Sequence, residues 1–268
     1  MKQECKLLLA LAIAAVSAVS GQCVFALEKT DDIDTNRPSF MFSPLVVPKG
    51  SLQIENGTLD QNLHHRTNSF DISETQLRLG LLKNTEFQMF VPNWVLSHAA
   101  GQTHSGVSDL NEVGIKQQIP FRNQKLSMSF IGSMNIPTGN RTISGPGVQP
   151  VFRLPWGYAL PHGFSLMGMQ SLLVLNAGRY PQYQPDFMFT KAFGSRARTS
   201  VFAEYVGFFT RNTEPVQIAH FGIVRKLNGH HQVDCHFGFG LNRQAPAAFV
   251  GAGYSYRFDG LPYGGPSQ

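Results

Sequence analysis

The residues most able to do chemistry are nine histidines, few of them placed to do it. His64-His65 and His230-His231 are adjacent pairs. Neighbours on a strand point to opposite faces, and no Cys, Asp or Glu stands at ligand spacing beside either pair, so neither can close on one metal ion. They read as polar loop residues, and neither a metal nor another cofactor is expected. There is no Gly-x-Ser-x-Gly elbow, no phosphate loop and no HExxH helix. His220 alternates onto a face with Ile218, Gly222 and Val224, where it could meet Ser200 across a strand pair as the Ser and His of a lipid hydrolase would. No third group is at hand to orient the imidazole, and no enzyme is expected.

A second set of ionisable groups is distributed differently. Glu55, Glu74, Arg78, Glu112, Lys116, Glu204, Asp234, His236 and Arg257 stand singly, each at an alternate position of an otherwise apolar run. Val250, Ala252, Tyr254, Tyr256 and Phe258 share one parity, with Gly251, Gly253, Ser255 and Arg257 on the other. Val233, Cys235, Phe237, Phe239 and Leu241 oppose Asp234, His236, Gly238, Gly240 and Asn242 in the same way. Leu77, Leu79 and Leu81 oppose Gln76, Arg78 and Gly80, and Val113, Ile115 and Ile119 oppose Glu112, Gly114, Lys116 and Gln118. Period two is the signature of strands with one apolar and one polar face.

Twelve such runs are predicted, centred near Ile54, Gln76, Gln88, Ile115, Phe130, Phe152, Leu172, Met188, Glu204, Phe221, Phe237 and Tyr254. Their regular spacing predicts an all-β chain, a single antiparallel transmembrane β-barrel of about 12 strands within a range of 10 to 14. Alternation alone suits a soluble sandwich equally well. The barrel is preferred because the polar faces combine glycine with charge, as a hydrated lumen would. Tyr and Phe gather near strand ends as an interfacial girdle would, and connections alternate between short (82–85, 227–231) and long (97–108, 138–148). The runs 151–156, 167–175 and 187–193 mix parity, and Pro155 would interrupt a central ladder unless it sat at a bulge or a strand end. Trp94 and Trp156 read as interface anchors. The nine ionisable residues named above are then candidate lumen-lining groups.

Bulk properties agree with an exported membrane strand protein. Met1, Lys2 and Lys6 precede an apolar stretch over 7–19 that is too short to span a bilayer, and Val24-Phe25-Ala26 suits a signal peptidase, so residues 1–26 read as a signal peptide. Its removal leaves 242 of the 268 residues and takes away Lys2, Lys6 and Glu4, lowering the formal charge from +5 to +4. Cys5 and Cys23 leave with it, so Cys235 stands alone, no internal disulfide can form, and its apolar parity makes it a small lipid-facing hydrophobe. Scattered cations without a basic stripe argue against nucleic acid. With 21 phenylalanines, 26 glycines, only 15% charged residues and no mature apolar run of helix-spanning length, a helical membrane protein is excluded.

Residues 27–49 differ in kind. An acidic start is followed by Arg37-Pro38-Ser39-Phe40-Met41-Phe42 and Pro44-Leu45-Val46-Val47-Pro48, whose prolines forbid a long strand or helix. The segment reads as a periplasmic lead-in or as a plug folded into a barrel formed by 50–258, with 259–268 as a flexible tail.

Thr35-Asn36-Arg37-Pro38, Ser43-Pro44-Leu45-Val46-Val47-Pro48-Lys49-Gly50, Ile136-Pro137-Thr138-Gly139, Leu154-Pro155-Trp156-Gly157-Tyr158 and Gly238-Phe239-Gly240-Leu241-Asn242 run in that order. With the closing strand 249–258, they resemble the outer-membrane transporter family named for the meta-cleavage pathway of phenol degradation. The resemblance implies an outer-membrane barrel with a transport role. This chain has Asn36 where members usually carry Asp, and it continues past Phe258, whereas many barrels end on the aromatic residue that the assembly machinery reads. The expected function is a channel or transporter for passive passage of small solutes, aromatic or hydrophobic compounds among them, with outer-membrane lipids and the barrel-assembly machinery as partners. The alternatives are a non-conducting structural or adhesion barrel and an outer-membrane lipid hydrolase.

Overall fold

The computed structural model describes residues 32–63, 67–99, 101–194 and 197–262. The expected signal peptide, the first residues of the lead-in, His64-His65 and the end of the tail lie outside them. Fourteen strands form in chain order: β1 (Leu52–Asn62), β2 (Asn68–Leu82), β3 (Thr85–Val91), β4 (Trp94–Ala99), β5 (Gln102–Val107), β6 (Leu110–Ile119), β7 (Leu126–Ile136), β8 (Gln149–Ala159), β9 (Phe164–Val174), β10 (Tyr180–Phe193), β11 (Thr199–Thr210), β12 (Val216–Lys226), β13 (His231–Gly240) and β14 (Ala248–Phe258). Every strand pairs antiparallel with its neighbours, and β1 pairs with both β2 and β14, so the sheet closes on itself.

The closed wall has twelve strands because β3 and β4 are two halves of one strand, as are β5 and β6. β2 pairs first with β3, at Thr75↔Val91, and then with β4, at Ile72↔Trp94. Pro92 has no amide hydrogen to continue the ladder, and the step is sealed sideways, by Ser108 N donating to Asn93 O at 2.8 Å and Asn93 N to Ser108 Oγ at 2.9 Å. β5 pairs with β4 but not with β7, so β4 and β5 rise past the barrel rim as a hairpin. Residues 97–108, expected as a long loop, are therefore mostly strand.

The wall is polar inside and apolar outside. Arg78, Lys116, Glu55, Glu86, Gln76 and Gln88 are among the most deeply buried side chains, while Phe237, Phe187, Ile223, Leu172, Val250 and Phe258 are each more than 40% exposed. That inversion decides between sandwich and membrane barrel. A water-soluble sandwich buries its apolar parity, whereas so extensive an exposed apolar band needs a bilayer to cover it. Cys235 lies on this outer face and Trp94 is 47% exposed on it. No helix among the described residues is long and apolar enough to cross a membrane; the strands do the crossing.

Two prolines sit mid-strand. Pro155 is paired on its β9 side with Met169, but the β7–β8 register skips from Met128↔Trp156 to Ile131↔Arg153 without slipping. Pro185 does the same between β10 and β11, from Tyr183↔Phe209 to Asp186↔Val206. Each proline costs a local gap on one side and keeps the register, so neither the bulge nor the strand end expected for Pro155 is needed.

Both ends of the wall, Gly50 before β1 and Asp259 after β14, share a rim with the turns 83–84, 120–125, 160–163 and 227–230 and with the end of β10 and the start of β11. The opposite rim carries the longer connections 137–148 and 241–247. Short turns and chain ends mark the periplasmic rim of such barrels, and the longer loops mark the outer one.

Candidate functional site

Residues 32–49 lie inside the barrel, and the path of their backbone is fixed by interior side chains. A buried segment without secondary structure must find partners for each N–H, since every orphan costs about 1–3 kcal/mol. Glu55 Oε2 accepts from Asn36 N and Arg37 N, both at 2.9 Å. Glu204 accepts from Phe40 N at 3.2 Å and Met41 N at 2.9 Å, and Glu86 Oε2 from Val47 N at 2.6 Å. Gln118 Oε1 takes Val46 N at 3.3 Å, and Asn36 Oδ1 takes Ser43 N at 2.9 Å, folding the segment on itself. At the periplasmic rim Ile33 N donates to Gly229 O, and Ser51 N to Pro48 O in a tight turn where Gly50 adopts φ 77°. The segment thus enters and leaves at the same rim.

Beneath these contacts runs a buried ionic chain. Arg78 pairs with Glu55 at 3.0 Å and with Glu86 at 2.9 Å, and Lys116 pairs with Glu86 at 3.0 Å, all with side chains fully enclosed. The remaining donors turn to the segment: Arg78 reaches Asp34 O and Leu45 O, each at 2.9 Å, and Lys116 reaches Leu45 O at 3.3 Å. Charges removed from water are stable only when paired and fully hydrogen-bonded, and here the segment supplies part of that pairing. Asn36 uses both ends of its amide, donating to Gln76 Oε1 at 2.9 Å and presenting Oδ1 at 3.5 Å from Lys116 Nζ. No ion pair forms between this position and Arg37, which instead contacts Asp234 at 3.3 Å and Glu74 at 3.5 Å.

On the other side of the lumen the lining is apolar. Met41 and Phe42 pack with Ile131, Met169, Met188 and Phe202. This explains the mixed parity of 151–156, 167–175 and 187–193: their inward positions carry apolar side chains because they face the apolar part of the segment instead of water. Phe40 lies edge-on to His220 at 5.2 Å and to Phe249 at 5.8 Å. His220 Nδ1 is 2.6 Å from Glu204 Oε2, and its Nε2 is 2.9 Å from His236 Nδ1, so Glu204, His220 and His236 form one hydrogen-bonded chain across three strands. His236 Nε2 lies against bare Gly251, where a Cβ would fall 2.2 Å away.

That register corrects the hydrolase reading. Ser200 pairs with Val224 and Glu204 with His220, so Ser200 sits four residues, ~13 Å, along the strand from the imidazole. His220 faces the lumen and not the outer wall. Among the described residues no three of His, Cys, Asp and Glu converge as a ligand set. His230 instead contacts Asp259, and His231 contacts Tyr254.

A cavity of about 360 Å³ lies between the segment and the wall. Phe40, Phe42, Phe90, Phe208 and Phe249 form its apolar side, and Arg37, Glu74, Glu112 and Arg153 its polar one. Arg153 pairs with Glu112 at 2.6 Å and stands 5.0 Å above the Phe42 ring. The structure places Glu55, Arg78, Glu112, Lys116, Glu204, Asp234 and His236 in the buried interior, and Glu74 there with partial exposure. Arg257 lies apart, at the periplasmic rim with Asp259 at 3.0 Å. Arg37 and Pro38 line the cavity from the segment. Sequence reading missed Glu86, Arg153 and Asp186, and weighed His220 only as a hydrolase residue and not as part of the lumen. Glu86 and Gln88 share a parity within Thr85–Val91 and were legible; Arg153 and Asp186 lie in the runs that the apolar inner wall disguises.

No curated protein matches the sequence. Among solved structures, the outer-membrane channel from Pseudomonas putida F1 matches with a TM-score of 0.62 at 12% identity, covering 80% of this chain and 97% of that one. The NanC porin matches with a TM-score of 0.53 at 7% identity, covering 76% and 98%. At these identities the likeness is one of fold, the closed barrel of outer-membrane channels. The family model described as "Putative MetA-pathway of phenol degradation" matches residues 35–258. That span takes in the Asn36-Arg37-Pro38 turn of the inward segment and every strand of the wall, and the chain belongs to this family.

Proposed function

We propose that the protein is an outer-membrane channel for passive passage of small solutes, closed by residues 32–49 and conducting when that segment yields. On this reading residues 1–26 are the export signal, 50–258 the barrel and 259–268 a tail. The observation that carries it is the way the segment is held. Its N–H groups go to the side chains of Glu55, Glu86 and Glu204 and not to a strand ladder, so it can leave without opening the wall. The five phenylalanines of the cavity, beside two arginine–carboxylate clusters, suit a small aromatic compound with a polar substituent, and the family's description, which names phenol degradation, supports the same class.

The test is planar-bilayer conductance of the refolded mature chain and of the same chain without residues 27–48, each first shown to be a folded, heat-modifiable barrel. Rare openings in the first and steady, salt-dependent steps in the second are expected. Equal currents in both overturn closure by the segment. Silence in both overturns the channel and favours the second reading, a non-conducting envelope barrel, which the fully enclosed Arg78–Glu55–Glu86–Lys116 network along one side of the bore supports.

A further inference from the structure

The outer wall carries a cation cluster that the channel reading does not use. On β10, Lys191 shares the outward parity of Phe187, Phe189 and Phe193, each 47% exposed. On β12, Arg225 shares the outward parity of Ile223 and Leu227. The register sets Lys191 against Val201, Val201 against Ile223, and Thr199 against Arg225, so the two cations stand two strands and two residues, ~12 Å, apart near the same rim. Arg198, in the turn just before β11, reaches Leu227 O at 3.5 Å. None of the three forms an ion pair among the described residues, unlike every arginine and lysine of the buried lumen chain.

Two unneutralised cations on a face otherwise built for hydrocarbon, with a third in the turn between them, are costly unless something anionic meets them at the headgroup level. Two are already held for such a partner. Lys191 Nζ lies 4.1 Å from the centroid of Phe164 and 5.8 Å from that of Phe193, and it donates to His162 O. Arg225 Nη1 donates to Thr199 Oγ1. Arg198 Nε is buried and has no hydrogen-bond partner among the described residues. The exposed rings and aliphatic chains directly beyond the cluster, Phe189, Val201 and Ile223, give a surface on which acyl chains can lie. The rim is the one with short turns and both ends of the wall, which faces the inner leaflet, where the lipids are glycerophospholipids.

We propose that Lys191, Arg198 and Arg225 form a binding site on the outer wall for one anionic glycerophospholipid of the inner leaflet, its phosphate between the three side chains and its acyl chains over Phe189, Val201 and Ile223. The site does not depend on conduction or on the inward segment.

Native mass spectrometry of the mature protein, released from micelles with increasing dioleoylphosphatidylglycerol or dioleoylphosphatidylcholine, tests it. One phosphatidylglycerol retained at about tenfold lower lipid concentration than phosphatidylcholine is expected, with that preference lost in the triple variant K191Q/R198Q/R225Q and kept in K125Q, which changes a different turn of the same rim. Where the triple variant fails the heat-modifiability check, R225Q alone is read, with at least a threefold loss of preference expected. Equal retention of the two lipids, an unchanged preference in the folded variants, or an equal loss in K125Q would each overturn the site, the last by showing a diffuse charge effect. Loss of the phosphatidylglycerol adduct to competing millimolar inorganic phosphate would also overturn it, since that assigns the cluster to a free anion.

Discussion

Glu204 shows what a single interior carboxyl does here, because it takes two consecutive backbone donors of the segment and one imidazole at once. Glu204→Gln keeps one oxygen, which can still accept from Met41 N, and loses only the acceptor of the longer bond from Phe40 N at 3.2 Å, so it is expected to loosen the closed state slightly. Glu204→Leu keeps the bulk and removes every acceptor, leaving Phe40 N and Met41 N unpaired at roughly 1–3 kcal/mol each. Open-channel time should rise sharply in the leucine variant and little in the glutamine one, and similar behaviour of the two would show that this contact does not hold the segment. Asn36 makes the opposite case. The surroundings accept an Asp at this position: Lys116 stands 3.5 Å away, and Gln76 Nε2 has no hydrogen-bond partner among the described residues, so rotating the Gln76 amide would offer a donor to the new carboxylate. Asn36→Asp is therefore expected to change unfolding in urea by less than about 1 kcal/mol, whereas Asn36→Leu, which strands Ser43 N and Gln76, should cost about 2–4 kcal/mol. A large loss in the aspartate variant would mean that Glu55 repels the added charge more than Lys116 attracts it.

At the scale of elements, glycines decide where the segment can touch the wall. Gly57 and Gly253 are register partners, and a Cβ on either would fall 2.1 to 2.4 Å from the Arg37 guanidinium. That end of the arginine can swing aside. Gly80 is different, because its Cβ would meet Pro48 O at 2.0 Å and Val47 O at 2.5 Å, which are backbone. Gly57→Ala should leave thermal unfolding nearly unchanged, and Gly80→Ala should lower stability by roughly 1–3 kcal/mol and expose residues 44–48 to protease; the reverse order would mean that the segment's exit is the softer contact. The outer-rim loop 137–148 hangs on Asp109. Burial works against its charge, but Ser144 Oγ at 2.6 Å and the amides of Gly145 at 2.8 Å and Gly139 at 2.9 Å outweigh this and hold the carboxyl below its ordinary range. A depressed value stabilises the ionised form, so the loop anchor is complete above about pH 4 and fails as pH falls through the depressed value. Amide exchange at 139–145 should quicken only in that acidic window, and Asp109→Asn should remove the dependence. The strands themselves were legible in sequence because alternation is a local signal, and all twelve predicted centres fall within observed strands. The β4–β5 hairpin was not, since Asn93 and Ser108 complete the break from opposite strands. Nor were the inward positions of β8 to β10, where Met169 and Met188 answer to Phe42 and Met41, more than a hundred residues away.

Over the whole molecule, charge is sorted in a way that its total hides. The chain is basic, with a formal charge of +5. Between the two rims, however, the inward face of the wall carries Glu55, Glu74, Glu86, Glu112, Asp186, Glu204 and Asp234 against Arg78, Lys116 and Arg153. Many of the remaining cations stand on turns and loops, among them Lys83, Arg122, Lys125, Arg141, Arg211 and Arg243. While the segment is in place its amide hydrogens answer three of those carboxylates, so removing it leaves a lumen that holds more acidic than basic groups and fewer donors to quiet them. Low-dielectric walls focus such a field along the bore and concentrate cations in it. The chain lacking residues 27–48 should therefore conduct K⁺ in preference to Cl⁻, seen as a reversal potential of the cation-selective sign under a tenfold KCl gradient. Replacing Glu55 and Glu86 together by glutamine should move it toward zero, with Arg78 and Lys116 then unopposed. A reversal potential of the anion-selective sign in the truncated chain would mean that the arginines of the rims, and not the carboxylates between them, set which ions pass.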